Sequence, residues 1–162
     1  GRPVDAVRDF EALLHEKKYA SEGSARYGLA VAYARSANWP AAEQELLAVR
    51  KLKVSSAMVE RLLAEVKIAR GEMDGGLAIY RDAMARYPLN LSVLYGYGNA
   101  LIGGKRYAEA LKFSDTQLQS YPQDVRFYKM RAEANAGLGR RSQQHLALAE
   151  MSLLKGQTAG AL

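Results

Sequence analysis

No cysteine occurs anywhere in these 162 residues, which excludes disulfides and thiolate zinc sites. That absence is compatible with an oxidising compartment but does not indicate one. Histidine is nearly as scarce, with only two. His15-Glu16-Lys17-Lys18-Tyr19 starts like the zinc-protease signature, yet its fifth residue is Tyr, and His145 lies far along the chain. A zinc site there would need a second His one helical turn on, plus a third ligand. Gly96-Tyr97-Gly98 has no third glycine at the right spacing and sits inside a helical pattern, so it is no dinucleotide loop. No run of about 18 apolar residues is present, so no segment reads as a membrane-spanning helix. No signal peptide is visible either, because Gly1-Arg2-Pro3 leads straight into a helical pattern. Of only four prolines, Pro40, Pro88 and Pro122 fall at predicted helix boundaries.

What is present is a beat. Ala30, Ala64, Gly98 and Ala132 stand 34 residues apart, and so do Ala42, Gly76, Ala110 and Gln144. Trp39, Met73, Tyr107 and Arg141 keep the same step, as do Val54, Pro88 and Pro122. A self-similarity of this length without insertions resembles the tetratricopeptide repeat, a helix–turn–helix unit that cannot bury its apolar face alone. The fold class expected is therefore all-α, a right-handed superhelical solenoid of antiparallel helix pairs, with aliphatic and aromatic residues at 49% supplying an inter-repeat core. Such an array points to binding rather than catalysis, and no catalytic residue is assigned.

Residues 1–23 read as an N-terminal capping helix and turn, with Val4, Val7, Phe10 and Leu14 on one face. Four repeats follow at 24–56, 57–90, 91–124 and 125–156. Their A helices are predicted near 24–36, 57–70, 92–102 and 125–138, and their B helices near 40–52, 74–86, 108–120 and 142–154. Gly71, Gly103-Gly104 and Gly139 are the expected A-to-B turns, since glycine takes the left-handed conformation that closes a helix. Gly156 is expected to turn the chain into a further helix cut short at 157–162, giving nine helices and part of a tenth, without strands. Both ends read as cut, so the expectation is a piece of a longer protein. Small residues such as Ala30 and Ala42 are expected where A meets B, with Leu29, Leu63, Tyr97, Leu46, Tyr80 and Leu148 filling the space between. Arg131 and Gln144 depart from that pattern in the fourth repeat.

Following one A-helix position by 34 gives Tyr27, Arg61, Tyr95 and Lys129. Four residues on come Val31, Glu65, Asn99 and Glu133; three residues before lie Ser24, Met58, Ser92 and Arg126. The candidate peptide-binding groove is Tyr27, Arg61, Glu65, Tyr95, Asn99, Arg126 and Lys129, where aromatic, cationic and amide groups would grip an extended peptide. The alternative is a set of ordinary groove-wall residues without a dedicated ligand. Glu43 and Glu109 read as positions on the opposite, convex face. The net charge is +6, and the stretch from 125 to 155 carries six basic residues against two acidic ones. They are scattered among helical positions, the pattern of a solvated face, and no nucleic-acid partner is expected.

Some stretches resemble a narrower family. Ala25-Arg26-Tyr27-Gly28-Leu29-Ala30, Arg86-Tyr87-Pro88, Gly104-Lys105-Arg106-Tyr107-Ala108-Glu109-Ala110 and Arg141-Ser142-Gln143-Gln144-His145-Leu146-Ala147-Leu148-Ala149-Glu150 are similar to the C-terminal repeat region of BepA-type periplasmic zinc metalloproteases. That resemblance implies a periplasmic location, a zincin domain elsewhere in the parent, and outer-membrane protein substrates or their assembly machinery as partners. Zinc would belong to that other domain, and no cofactor is expected in these residues. The alternative is a repeat adaptor in a non-enzymatic envelope, secretion or pilus assembly protein. Tyr27 and Val31 stand where a chaperone-tail carboxylate clamp would need Lys and Asn.

Overall fold

The computed structural model describes residues 1–53 and 56–160, and for residues 140–148, 150, 151, 158 and 159 it describes the backbone alone. Among the described residues there are eight helices and no strand: α1 (Pro3–His15), α2 (Glu22–Arg35), α3 (Trp39–Lys51), α4 (Ala57–Ala69), α5 (Met73–Arg86), α6 (Leu91–Gly103), α7 (Tyr107–Ser120) and α8 (Val125–Gly160). The chain divides into two compact units, Gly1–Ala100 and Leu101–Leu162.

The helix boundaries follow from local chemistry. Ser21, Asn38 and Asn90 each cap the helix that follows, accepting a hydrogen bond from the backbone N–H three residues on. This satisfies a donor that the first turn would otherwise leave unpaired. Pro40 sits in the first turn of α3, where a missing N–H costs nothing. At the other end, α5 and α7 stop one residue before Tyr87-Pro88 and Tyr121-Pro122. Tyr87 and Tyr121 share nearly the same backbone, φ −128° with ψ 63° and 67°, because the proline ring bars its predecessor from the helical region.

The A-to-B turns obey the 34-residue step more strictly than their composition suggests. Ala37, Gly71 and Lys105 all take positive φ, at 58°, 85° and 58°. Glycine therefore closes only the second turn. The third was expected to use Gly103-Gly104, but the left-handed residue is Lys105, two positions after the end of α6. Steric strain of order 1 kcal/mol at Ala37 and Lys105 is outweighed by the packing of the helices they join.

In the first unit the core lies between successive helices. Ala30, Ala42, Leu46, Val49, Val59, Leu63 and Val66 are fully buried, with Trp39, Tyr33, Leu62 and Ile79 packed around them. Burying each large side chain is worth roughly 1.5–3 kcal/mol. The small residues do what the period requires: a Cβ on Gly76 would collide with Ile68 and come within 2.8 Å of the Ala64 carbonyl oxygen. α1 lays the Phe10 ring against Gly28, and the Tyr33 hydroxyl donates a 2.5 Å hydrogen bond to Glu11. Between α3 and α4 the packing is ionic as well. Glu43, only 7% exposed, accepts from Lys67 and Arg70, while the equally buried Glu60 pairs with Arg50 and Arg86. Glu43 is thus an interior anchor, not the convex-face residue expected, because Lys67 on α4 and Arg70 just after it compensate its charge where burial strips its water.

In the second unit Leu101, Ala110, Leu118, Phe127, Met130 and Ala134 are buried. Phe127 meets Phe113 edge-on and Tyr121 in a tilted stack, with ring centroids 6.3 and 5.9 Å away. One expectation fails outright: α8 is a single helix of 36 residues, with no turn at Gly139 or at Gly156. Among the described residues a fourth A–B pair is therefore not formed, and eight helices stand where nine and part of a tenth were expected. The reason is energetic: one glycine inside a helix costs only about 1 kcal/mol against alanine, and the Leu- and Ala-rich run after it favours helix. The expected positions of Val54 and of residues 161–162 lie outside the described residues, as do the side chains of Gln144 and Leu148.

Candidate functional site

The A helices of the first unit carry the candidate groove. Arg61 on α4 is its hub: Nε donates to Glu65 Oε1 at 2.9 Å, one turn on along the same helix. Its Nη1 donates to Ser92 Oγ at the start of α6, and its charge reaches the Tyr80 phenol from α5. Two of its donors are thereby engaged, out of the five a guanidinium carries. A third of the side chain is exposed (34%), and the residue lines an open cavity of about 370 Å³.

That cavity is lined by Arg61, Glu65, Ile68, Ala69, Tyr80, Gly96, Asn99 and Ala100. Glu65 presents a half-exposed carboxylate and Asn99 an exposed amide that bonds to no other group among the described residues. Together they offer donors, acceptors and an amide able to act as both. Tyr27, half-buried on α2, belongs to the same electrostatic neighbourhood. Burial pushes its hydroxyl pKa up, the Glu65 charge adds to the rise, and Arg61 opposes it. Tyr80 is raised more strongly for the same first reason, burial, with Glu65 adding and Arg61 opposing. Both phenols therefore stay neutral across physiological pH.

The structure brings four of the expected residues together: Tyr27, Arg61, Glu65 and Asn99. Tyr95 lies one turn before Asn99 on α6, half-buried and off the cavity lining. Arg126 and Lys129 belong to the second unit, where both are exposed and Lys129 Nζ stands 3.8 Å from Glu133. Sequence reasoning missed Tyr80, assigned only as a core filler, and Gly96, whose α-carbon the Tyr80 ring abuts. The signal lay in the period itself. Gly28 and Gly96 share one repeat position, and each accepts an aromatic ring from a neighbouring helix, Phe10 and Tyr80 respectively.

Among the described residues no three His, Cys, Asp or Glu side chains stand together as a metal site. No described helix is long and apolar enough to cross a membrane.

Residues 67–134 match the sequence profile of the tetratricopeptide repeat family. The fold is that of tetratricopeptide-repeat proteins. A tetratricopeptide repeat protein from Parabacteroides merdae superimposes with a TM-score of 0.71 at 17% identity, over 93% of this chain. The chain spans only 60% of that protein's length. Tetratricopeptide-like repeats of a putative kinesin light chain from Podosopora anserina give a TM-score of 0.69 at 17% identity, over 96% of this chain and 88% of that one. MamA (residues 41 to the end) from Desulfovibrio magneticus RS-1 gives 0.66 at 20% identity, over 97% and 88%. These likenesses establish the tetratricopeptide fold. A search of curated protein sequences gives no match.

Proposed function

We propose that this chain is a protein-interaction scaffold that holds an extended polypeptide segment on the A-helix side of its first unit. The observation that carries this reading is the convergence of Arg61, Glu65 and Asn99, from two successive A helices, on one open cavity beside Tyr80. A peptide backbone presents N–H and C=O groups alternately, and this set meets both. Arg61 is held by Glu65 and Ser92, so little of its own freedom is lost on binding. Arg and Tyr are also the side chains that most often dominate interface energetics. Tyr27 extends the same face on α2. Site-specific photo-crosslinking at positions 61, 65 and 99 tests the reading, with exposed Arg81 on α5 as the control. Adducts from position 81 but from none of the other three would refute it.

The source of the occupant rests on the resemblance of residues 25–30, 86–88, 104–110 and, above all, 141–150. On that ground we propose a periplasmic parent with a zincin domain, whose outer-membrane protein substrates or assembly partners supply the bound segment. The coding sequence upstream decides this: a secretion signal and an H-E-x-x-H motif support it, and their absence leaves the envelope-adaptor reading.

A further inference from the structure

The face of α8 that should meet a B helix is open. In the first three repeats the small A-helix residue is buried: Ala30 and Ala64 at 0% exposure, and Gly98 likewise buried. Its counterpart Ala132 is exposed, and so are Tyr128 and Asn135 on the same stripe of α8. The opposite stripe, Phe127, Met130 and Ala134, is buried, so the helix is packed on one side only.

The matching piece is in the chain. Residues 142–154 hold the B-helix register, with Leu148 at the step occupied by buried Leu46 and Tyr80, and Met151 at that of buried Val49 and Ala83. That segment cannot reach its own A-helix face, because α8 continues as one helix through 36 residues, about 54 Å at 1.5 Å per residue. Gly139 occupies the step at which Ala37, Gly71 and Lys105 turn left-handed, yet here it stays helical. A hairpin opened at its hinge presents both halves of one interface on one molecule, and a second copy brings the complementary halves.

We propose that residues 142–154 of one chain dock as a B helix on the 125–138 face of a second copy, each chain exchanging its last helix with the other. The exchange preserves the antiparallel pairing of the other repeats, in which Ala64 meets Gly76 twelve residues on; Ala132 and Gln144 have the same separation. The two contacts are related by a two-fold axis and close on themselves, so the product is a dimer and not a fibre.

Introduced thiols test this cleanly, since the chain has no cysteine of its own. Ala132→Cys and Gln144→Cys in one chain, oxidised with diamide, should give a covalent dimer on non-reducing gels. Mixing the two single variants should give the heterodimer. An internal disulfide in a monomer would show that the hairpin closes within the chain, and the proposal falls. Light scattering on the unmodified protein guards against a folding defect in the variants: it should find a dimer at high concentration, and a monomer throughout overturns the proposal. Inserting Asn-Gly after Gly139 favours the closed hairpin and should shift mass from dimer to monomer. A dimer unaffected by that insertion counts against the exchange.

Discussion

The phenol of Tyr80 abuts the α-carbon of Gly96, so closely that a methyl group added there would come within 2.8 Å of the hydroxyl oxygen and 2.7 Å of the ring. Tyr80 is 2% exposed and also touches Tyr97 edge-on at 6.1 Å, so its ring has little room to retreat. Gly96→Ala should therefore destabilise by about 1–3 kcal/mol through overpacking, less the ~1 kcal/mol that alanine contributes to a helix. Chemical denaturation measures it. A more stable variant would mean that the ring moves freely, and Tyr80 would then not be fixed as a wall of the cavity.

Removing the hub should separate binding from folding. Arg61→Ala deletes a partly exposed side chain whose ion pair with Glu65 lies within one helix, so stability should change by no more than about 1 kcal/mol. Affinity for a captured peptide should fall at least tenfold, the usual cost of losing a central Arg at an interface. Binding that survives while Tm drops would assign Arg61 a structural role only.

Glu43 should matter most in acid. Burial pushes its carboxyl pKa up, but hydrogen bonds from Lys67 and Arg70 outweigh this and leave it below the ordinary 4.5. A group depressed on folding stabilises above its unfolded pKa, and that stabilisation disappears as pH falls through the folded value. Wild-type stability should thus decline below about pH 4.5, and Glu43→Gln should flatten that part of the profile while costing about 1–3 kcal/mol at neutrality. Urea denaturation at several pH values provides the check; parallel profiles for the two proteins would exclude the carboxylate as the source.

Tyr33 should act at the other extreme. The hydrogen bond to Glu11 comes first in raising its pKa from 10.0 to about 12, with burial and the charges of Glu11 and Glu45 adding to it. A raised folded value means that stability is complete below the unfolded pKa and is lost as pH rises between the two. Tyr33→Phe should remove that alkaline loss and loosen α1 from α2, which amide exchange in residues 3–15 would register. Unchanged protection there would show that Phe10 alone docks the helix.

Helix placement was legible because two kinds of signal agreed. Prolines after Tyr87 and Tyr121 stop α5 and α7 at the predicted residue, and the small-residue step located each A–B contact from Ala30 to Ala110. Gly139 misled because glycine permits a turn without imposing one, and only packing against a partner decides between turn and helix. Part of the groove could also be read directly, since Tyr27, Arg61, Glu65 and Asn99 sit at equivalent A-helix steps. Tyr80 could not: it comes from a B helix and reaches the cavity only because Gly96 has no side chain. Glu43 was misread for a related reason, as the cations that draw it inward lie 24 and 27 residues further along the chain.

The carboxylates at the α3–α4 junction make these modules less exchangeable than their common period implies. Glu43 holds the place that Leu77 holds one repeat later, and Glu60 that of Leu94, both of them buried leucines. One junction is therefore locked by charge and the next by hydrocarbon. A chain with its first two modules transposed would leave Glu43 facing neither Lys67 nor Arg70, and an unpaired buried carboxylate costs several kcal/mol. Neighbours thus recognise one another along the chain, and the order of the modules is written into their junctions.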